Sequence, residues 1–269
     1  MNPLNPETLL LSLGLRPLTW GQVLLEVEEK LSAPDWETFR KLHRIFVGYG
    51  SEENLLRFYA FVYNKGLEGI LNGFRFDRLQ SILSELSPKM QPGLRILDVG
   101  AGSGFLATAI LSQFAPKEYV TQDLCPEIRM HLLIKGLAVL PHPAPVEPPG
   151  GPFDVILCAD SLGELNADED EGIAEALKSG QSNIPDMLEE RFGFAFKLET
   201  WKPYLSSQGR VFLWEPFSQR EVWGALAELL RTHGWTTKMH KEDEANPFLE
   251  LTFTATPPES HLPSPSSPH

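Results

Sequence analysis

The sequence predicts an α/β fold built on a mostly parallel sheet, and three observations carry that prediction. Short apolar runs of strand type alternate with helical segments from Gly93 onward. The first of these runs enters a turn with glycine at positions 100, 102 and 104, and a helical pattern follows at once. The ninety residues before it read as helix. Strands and helices alternating at these lengths are the signature of a parallel sheet covered by crossover helices.

Composition bounds the reading. The chain has 269 residues, 42% of them hydrophobic, enough for a substantial core. Its formal charge of -13 disfavours a broad surface for a phosphate backbone. The two cysteines, Cys125 and Cys158, have no metal-ligand spacing around them and are expected as reduced thiols. The leucines of "MNPLNPETLLLSLGLRPLTW" follow no basic segment, so they make a poor signal peptide. No apolar run approaches the ~20 residues of a membrane helix. The expected location is cytoplasmic, with no membrane partner.

The first element, "TWGQVLLEVEEKL", aligns Trp20, Val23, Leu24, Val27 and Leu31 on one helical face, with Thr19 as N-cap. "APDWETFRKLHRIF" repeats the pattern. "SEENLLRFYAFVYNKG" starts at the cap Ser51 and stops near Gly66, and "FRFDRLQSILSELSP" ends at Pro88. Aromatic residues crowd this region, which suggests a helical cap or an oligomerisation layer over residues 1–90. Those helices would also offer a surface for a homodimer.

In the second region, 91–256, "LRILDVG", "EYVTQDL", "FDVILCAD" and "RVFLWEP" read as strands. "GFLATAILSQFA", "PEIRMHLLIKGLAVL" and "QREVWGALAELLRTHGW" read as helices, the last ending at Gly234. "TTKMHKE" and "PFLELTFTAT" close the region as an edge pair. "PHPAPVEPPGGP" is too rich in proline for helix or central strand. "NADEDEGIAEALKSGQSNIPDMLEE" exceeds an ordinary connection and is expected as a lid or a decorated surface loop. The tail, 257–269, has no apolar periodicity and is expected to be disordered.

The glycines answer to a ligand. Side chains there would obstruct a molecule lying across the turn, and the helix beyond presents free N–H groups at its positive end. The dinucleotide pattern G-x-G-x-x-G fails, because Phe105 holds the place of its third glycine, and the Lys-Ser/Thr of a P-loop is absent.

The run Asp98-x-Gly-x-Gly-x-Gly resembles motif I of the class I S-adenosylmethionine-dependent methyltransferases. The acid that such a site places after the second strand is matched by Asp123, nineteen residues after Gly104, in "D-L-C-P-E". "FDVILCADSLGELN" resembles motif IV, and Glu215-Pro216 ends the next strand as is common in the family. The resemblance covers roughly 93–256. It implies a Rossmann-like, mostly parallel seven-stranded sheet with helices on both faces, and S-adenosylmethionine as cofactor. It further implies cofactor contacts from Asp98, Gly100, Ala101, Gly102 and Gly104, from Asp123 and Leu124, and from Asp160 and Ser161. The acid that many members carry after the third strand is missing, since the proline loop offers only Glu147. Main-chain groups or the apolar side chains near Leu140 and Val146 are left for the adenine ring.

The activity implied is in-line methyl transfer to an oxygen or nitrogen nucleophile. Glu164, at the end of a central strand, is the leading acceptor-side candidate. Tyr63, with Tyr59 one helical turn before it, and His43 follow, and each also fits a packing role. His233, near a helix end, is expected to be structural. No metal is implied. The Asn/Asp-Pro-Pro-Tyr signature of exocyclic-amine methylation is absent at Asp160–Gly163. With the acidic charge, this ranks a small-molecule acceptor first, a peptide or protein second and RNA third. "SLGELN" and "WEP" also resemble, more weakly, the ribosome-assembly methyltransferase-like family, whose further cysteines this chain lacks. The rival class is a non-catalytic, methyltransferase-like binding or assembly protein.

Overall fold

The computed structural model describes residues 5–48, 51–161, 171–217, 219–241 and 247–253. Six helices come first: α1 (Pro6–Ser12), α2 (Trp20–Lys30), α3 (Ala33–Gly48), α4 (Glu52–Asn64), α5 (Glu68–Phe74) and α6 (Phe76–Leu86). Strands and helices then alternate through β1 (Arg95–Val99), α7 (Phe105–Gln113), β2 (Glu118–Gln122), α8 (Pro126–Ile134), β3 (Ala138–Val139) and β4 (Phe153–Ala159). Three helices follow, α9 (Glu171–Ser179), α10 (Ile184–Phe192) and α11 (Phe194–Glu199). The described chain closes with β5 (Leu205–Trp214), α12 (Arg220–Thr232), β6 (Thr236–His240) and β7 (Phe248–Thr252).

The seven strands form one sheet in the order β3-β2-β1-β4-β5-β7-β6. The first five are parallel; β7 runs antiparallel between β5 and β6. The order reverses between β1 and β4, and at such a switch point the crevice above the strand ends receives ligands. Side chains alternate across the sheet with the two-residue period of strands. Leu97, Val99, Val211 and Leu213 enter one core with α9–α12, while Ile96, Val155, Leu157, Phe212 and Trp214 enter the other with α1, α6, α7 and α8.

The helices before the sheet divide their packing. Leu9, Leu10 and Leu15, in and just after α1, and Ile82 and Leu83 of α6 join the sheet's own core. Val23, Val27, Phe39, Phe58, Val62 and Leu67 build a separate cluster among α2–α4. Thr19 and Gln22 form a reciprocal capping box at α2, and the Ser51 hydroxyl accepts from the Asn54 amide at α4.

Several sequence expectations are corrected. The helix expected to end at Pro88 is α6, but a further helix, α5, precedes it in residues that carried no helical expectation. "GLAVL" is not helix: α8 stops before Gly136, whose φ of +77° ends it, and Ala138–Val139 pair with β2. The long insert is neither lid nor surface loop from residue 171 on. Ile173, Ala176, Ile184 and Leu188 are buried in the core, because α9 and α10 carry apolar faces that the acidic and glycine-rich flanks concealed. Its start, like Glu164 and the tail 257–269, lies outside the described residues. Among the described residues, no helix is long and apolar enough to cross a membrane, and no group of three ligating side chains could hold a metal ion.

Candidate active site

β1 is buried along its whole length and delivers the glycine turn to the upper edge of the sheet. The Gly100 and Ala101 amides donate to the Gln122 carbonyl at the end of β2, at 2.8 and 3.1 Å. Gly104 closes the turn by donating to the Ala101 carbonyl at 3.0 Å. Gly100, Gly102 and Gly104 all have positive φ, at +68°, +53° and +72°. Two of them also serve close packing. A Cβ on Gly100 would overlap the Ser161 side chain, and one on Gly104 would lie 2.8 Å from methyls of Leu132 and Leu137. At Gly102 the space is open, with only the Gly100 carbonyl and the Tyr63 hydroxyl at 3.9 Å.

Asp123 follows β2 and faces this turn. One carboxylate oxygen accepts from the Gly102 amide at 3.1 Å, the other from the Cys125 amide at 3.0 Å. Burial raises its pKa, and those two amides pull it back. Leu124, beside it, is partly exposed, and its carbonyl accepts from Arg129 at 2.6 Å. Below the turn, Asp98 is only 2% exposed and accepts from the Tyr119 hydroxyl at 2.9 Å. Burial pushes its pKa up to about 7, the Tyr119 bond opposes that, and the nearby Asp123 charge adds to it.

The region expected to take the adenine ring is a tied-down proline loop. The Arg95 guanidinium donates to the carbonyls of Pro149 and Pro152, at 2.8 and 2.7 Å, and to that of Gly151, while pairing with Glu118. The Tyr204 hydroxyl donates to the Pro145 carbonyl. Leu140 is buried and Val146 is exposed.

Helix α4 lies over the turn. The Tyr63 ring meets His131 of α8 edge-on at 5.1 Å, and its hydroxyl sits above Gly102. Burial, with Asp123 adding, raises the Tyr63 pKa far above its usual value, so the phenol keeps its proton at neutral pH and acts as a hydrogen-bond donor. Tyr59 lies in the fields of both Asp123 and Asp160. Lys135 Nζ donates to the Ser103 carbonyl at 2.8 Å and braces the turn from α8.

At the end of β4, Asp160 accepts from Arg78 Nε at 2.8 and 2.9 Å and pairs with Arg75. Burial alone would raise its pKa; the two guanidiniums outweigh that and hold it below the ordinary carboxylate value. Asp160 has φ +54°, a backbone state uncommon outside glycine. Glu215, 1% exposed at the end of β5, lies within the field of Arg75.

The structure thus brings Asp98, Gly100, Ala101, Gly102, Gly104, Asp123, Leu124, Asp160, Ser161 and Tyr63 to one edge of the sheet. His43 is not among them. Its ring stacks on Trp20 at 4.9 Å and packs near Phe39 and Phe58, where burial lowers its pKa. His233 ends α12, and its carbonyl accepts from Lys202. Sequence reasoning missed Arg75 and Arg78. Two arginines three residues apart, opening an amphipathic helix of an acidic chain, were the available signal.

The edge has the features of a nucleotide cradle: a glycine turn, a facing carboxylate and a helix start. α7 has no side-chain cap, and the amides of Phe105, Leu106 and Ala107 have no protein acceptor among the described residues. Comparisons with known proteins agree. A family model described as a methyltransferase domain matches residues 71–186. No curated protein matches the chain in sequence with significance. Among solved structures, the DhpI–SAH complex superposes with a TM-score of 0.54 at 13% identity, covering 76% of this chain and 97% of that one. The SAM-bound magnesium protoporphyrin IX methyltransferase from Synechocystis PCC 6803 gives 0.42 at 14% identity, over 86% and 97% of the two chains. A TehB-like SAM-dependent methyltransferase from Corynebacterium glutamicum gives 0.43 at 14% identity, over 67% and 94%. The domain match spans the strands that frame the glycine turn, so the chain carries a methyltransferase domain over residues 71–186, on a Rossmann-like fold.

Proposed function

We propose that the protein transfers the methyl group of S-adenosylmethionine to an oxygen or nitrogen of a small molecule. The observation that carries this reading is the pairing of Asp123 with Gly102 across the open face of the turn. A carboxylate held there accepts the two ribose hydroxyls, and the free amides at the start of α7 take the cofactor's carboxylate. Ala101 and Leu124 line the cleft between them, and Asp98 supports the turn from below. When bound, the cofactor supplies an electrophilic methyl on a sulfonium sulfur.

The chain's remaining task is alignment and exclusion of water. α4 supplies a roof through Tyr59 and Tyr63, and a roofed cleft suits a small acceptor better than a folded macromolecule. The charge of -13 supports the same choice over RNA. Asp160, with Ser161 packed over Gly100, belongs to the acceptor side in this reading, where it holds Arg75 and Arg78. Glu164 remains the candidate for the acceptor's proton.

The test uses methyl-labelled cofactor and a cell extract split into filtrate and macromolecular retentate. Label entering a filtrate compound other than the cofactor, dependent on the protein, supports the reading. Label entering only the retentate assigns a protein or RNA acceptor instead.

A further inference from the structure

We infer that Arg75 is the docking group for an oxyanion on the methyl acceptor, a carboxylate, phosphonate or phosphate. The inference rests on the methyltransferase reading above and specifies its substrate class.

The sheet order sets the place. Asp98 and Asp123 occupy the ends of β1 and β2 on one side of the switch point, and Arg75, Arg78 and Asp160 lie over the end of β4 on the other. If the nucleotide takes the first side, the second is left for the acceptor.

The two arginines are engaged differently. Arg78 holds both oxygens of Asp160 through Nε, and its side chain is 20% exposed. Arg75 meets Asp160 through Nη2 alone, and its side chain is 41% exposed. Its Nε and Nη1 donors have no partner among the described residues. Asp160 therefore orients a guanidinium while leaving half of its planar fork unused. The second Nη2 hydrogen, paired with Nε–H or with Nη1–H, forms an edge that matches an oxyanion in bidentate geometry. Glu215 lies in the field of Arg75 and repels an anion, so it sets a limit on affinity. The uncommon backbone state of Asp160 fits a residue held in place for its side chain.

A pure clamp between α6 and β4 would need only Arg78. Arg75 is the arginine whose contribution separates the two roles.

The experiment is calorimetry on the full chain loaded with S-adenosylhomocysteine. Acetate, methylphosphonate and inorganic phosphate are titrated against acetamide as the neutral isostere, at constant ionic strength. The affinity for S-adenosylhomocysteine itself is measured first, so loss of the cofactor reading registers separately from loss of the oxyanion reading. At least one oxyanion should bind the wild-type chain while acetamide does not. Arg75→Gln should weaken that oxyanion by roughly tenfold or more, the loss of a charge-assisted hydrogen-bond pair. Arg75→Lys keeps the charge without the fork and should recover only part of the affinity. Absence of oxyanion binding to the wild type overturns the inference, as does equal binding of acetamide. So does unchanged affinity in the folded Gln or Lys variant. The wild-type comparison stands even where a variant does not fold.

Discussion

The carboxylate of Asp123 bridges two turns of chain: one oxygen accepts from the Gly102 amide at 3.1 Å, the other from the Cys125 amide at 3.0 Å. Residues from the first and second crossovers of the sheet are thereby locked together at the ligand edge. Asp123→Ala removes the group proposed for the ribose hydroxyls and leaves two amides without their acceptor. Affinity for S-adenosylhomocysteine should fall by about 1–3 kcal/mol, with a modest loss of melting temperature. Isothermal titration of the folded variant decides it; an affinity within about twofold of wild type removes Asp123 from the cofactor site.

Gly102→Val separates binding from folding. The direction of its Cβ is open, with nothing nearer than 3.9 Å, so packing tolerates the side chain. A β-branched residue at φ +53° carries a strain of roughly 1–2 kcal/mol, which a domain of this size absorbs. The branch then occupies the ligand's path. Circular dichroism should report a folded protein and calorimetry no cofactor binding.

Gly104→Ala should do the opposite. A methyl there lies 2.8 Å from Leu132 and Leu137, at φ +72°. Overpacking of about 1–3 kcal/mol adds to the backbone strain. Thermal denaturation should show a clear drop in stability. A variant as stable as wild type would mean that α8 moves aside without cost.

Much of this site was legible because its chemistry is local in sequence. Asp98 to Gly104 and Asp123 announce themselves by spacing, and Thr19 announces a helix start through its partner Gln22. Contacts between distant segments were not legible. Arg75 and Arg78 acquire their meaning only from Asp160, more than eighty residues away. Arg95 looked like the first residue of a strand, yet its guanidinium ties down the proline loop. Apolar pattern also failed where flanking residues were strongly polar, so buried Ile173 and Leu188 were mistaken for surface chain.

Asp98 makes stability depend on pH. Its folded pKa, about 7, lies above the unfolded value near 3.8. Between those values the folded state holds a proton that the unfolded state has lost, so this group's contribution falls as pH rises and levels off above pH 7. Asp98→Asn keeps an acceptor for the Tyr119 hydroxyl and removes the titration. Its stability relative to wild type, followed by denaturant unfolding from pH 4 to 9, should grow up to about pH 7 and then stay constant. A difference independent of pH would contradict the burial-driven shift.

Tyr63→Phe removes only the hydroxyl above Gly102. The ring contact with His131 remains, so the melting temperature should change little. Affinity for S-adenosylhomocysteine should drop several-fold, on the order of one hydrogen bond. The loss should be the same from pH 6 to 9, because the phenol stays protonated throughout. Unchanged affinity would reduce Tyr63 to a packing residue.

The central claim is that the edge formed by the glycine turn and Asp123 is a working cofactor site. Calorimetric titration of the wild-type chain with S-adenosylmethionine and S-adenosylhomocysteine tests it most directly. One site per chain, with affinity lost in Gly102→Val, is the predicted result. A folded wild-type chain that binds neither compound would contradict the account.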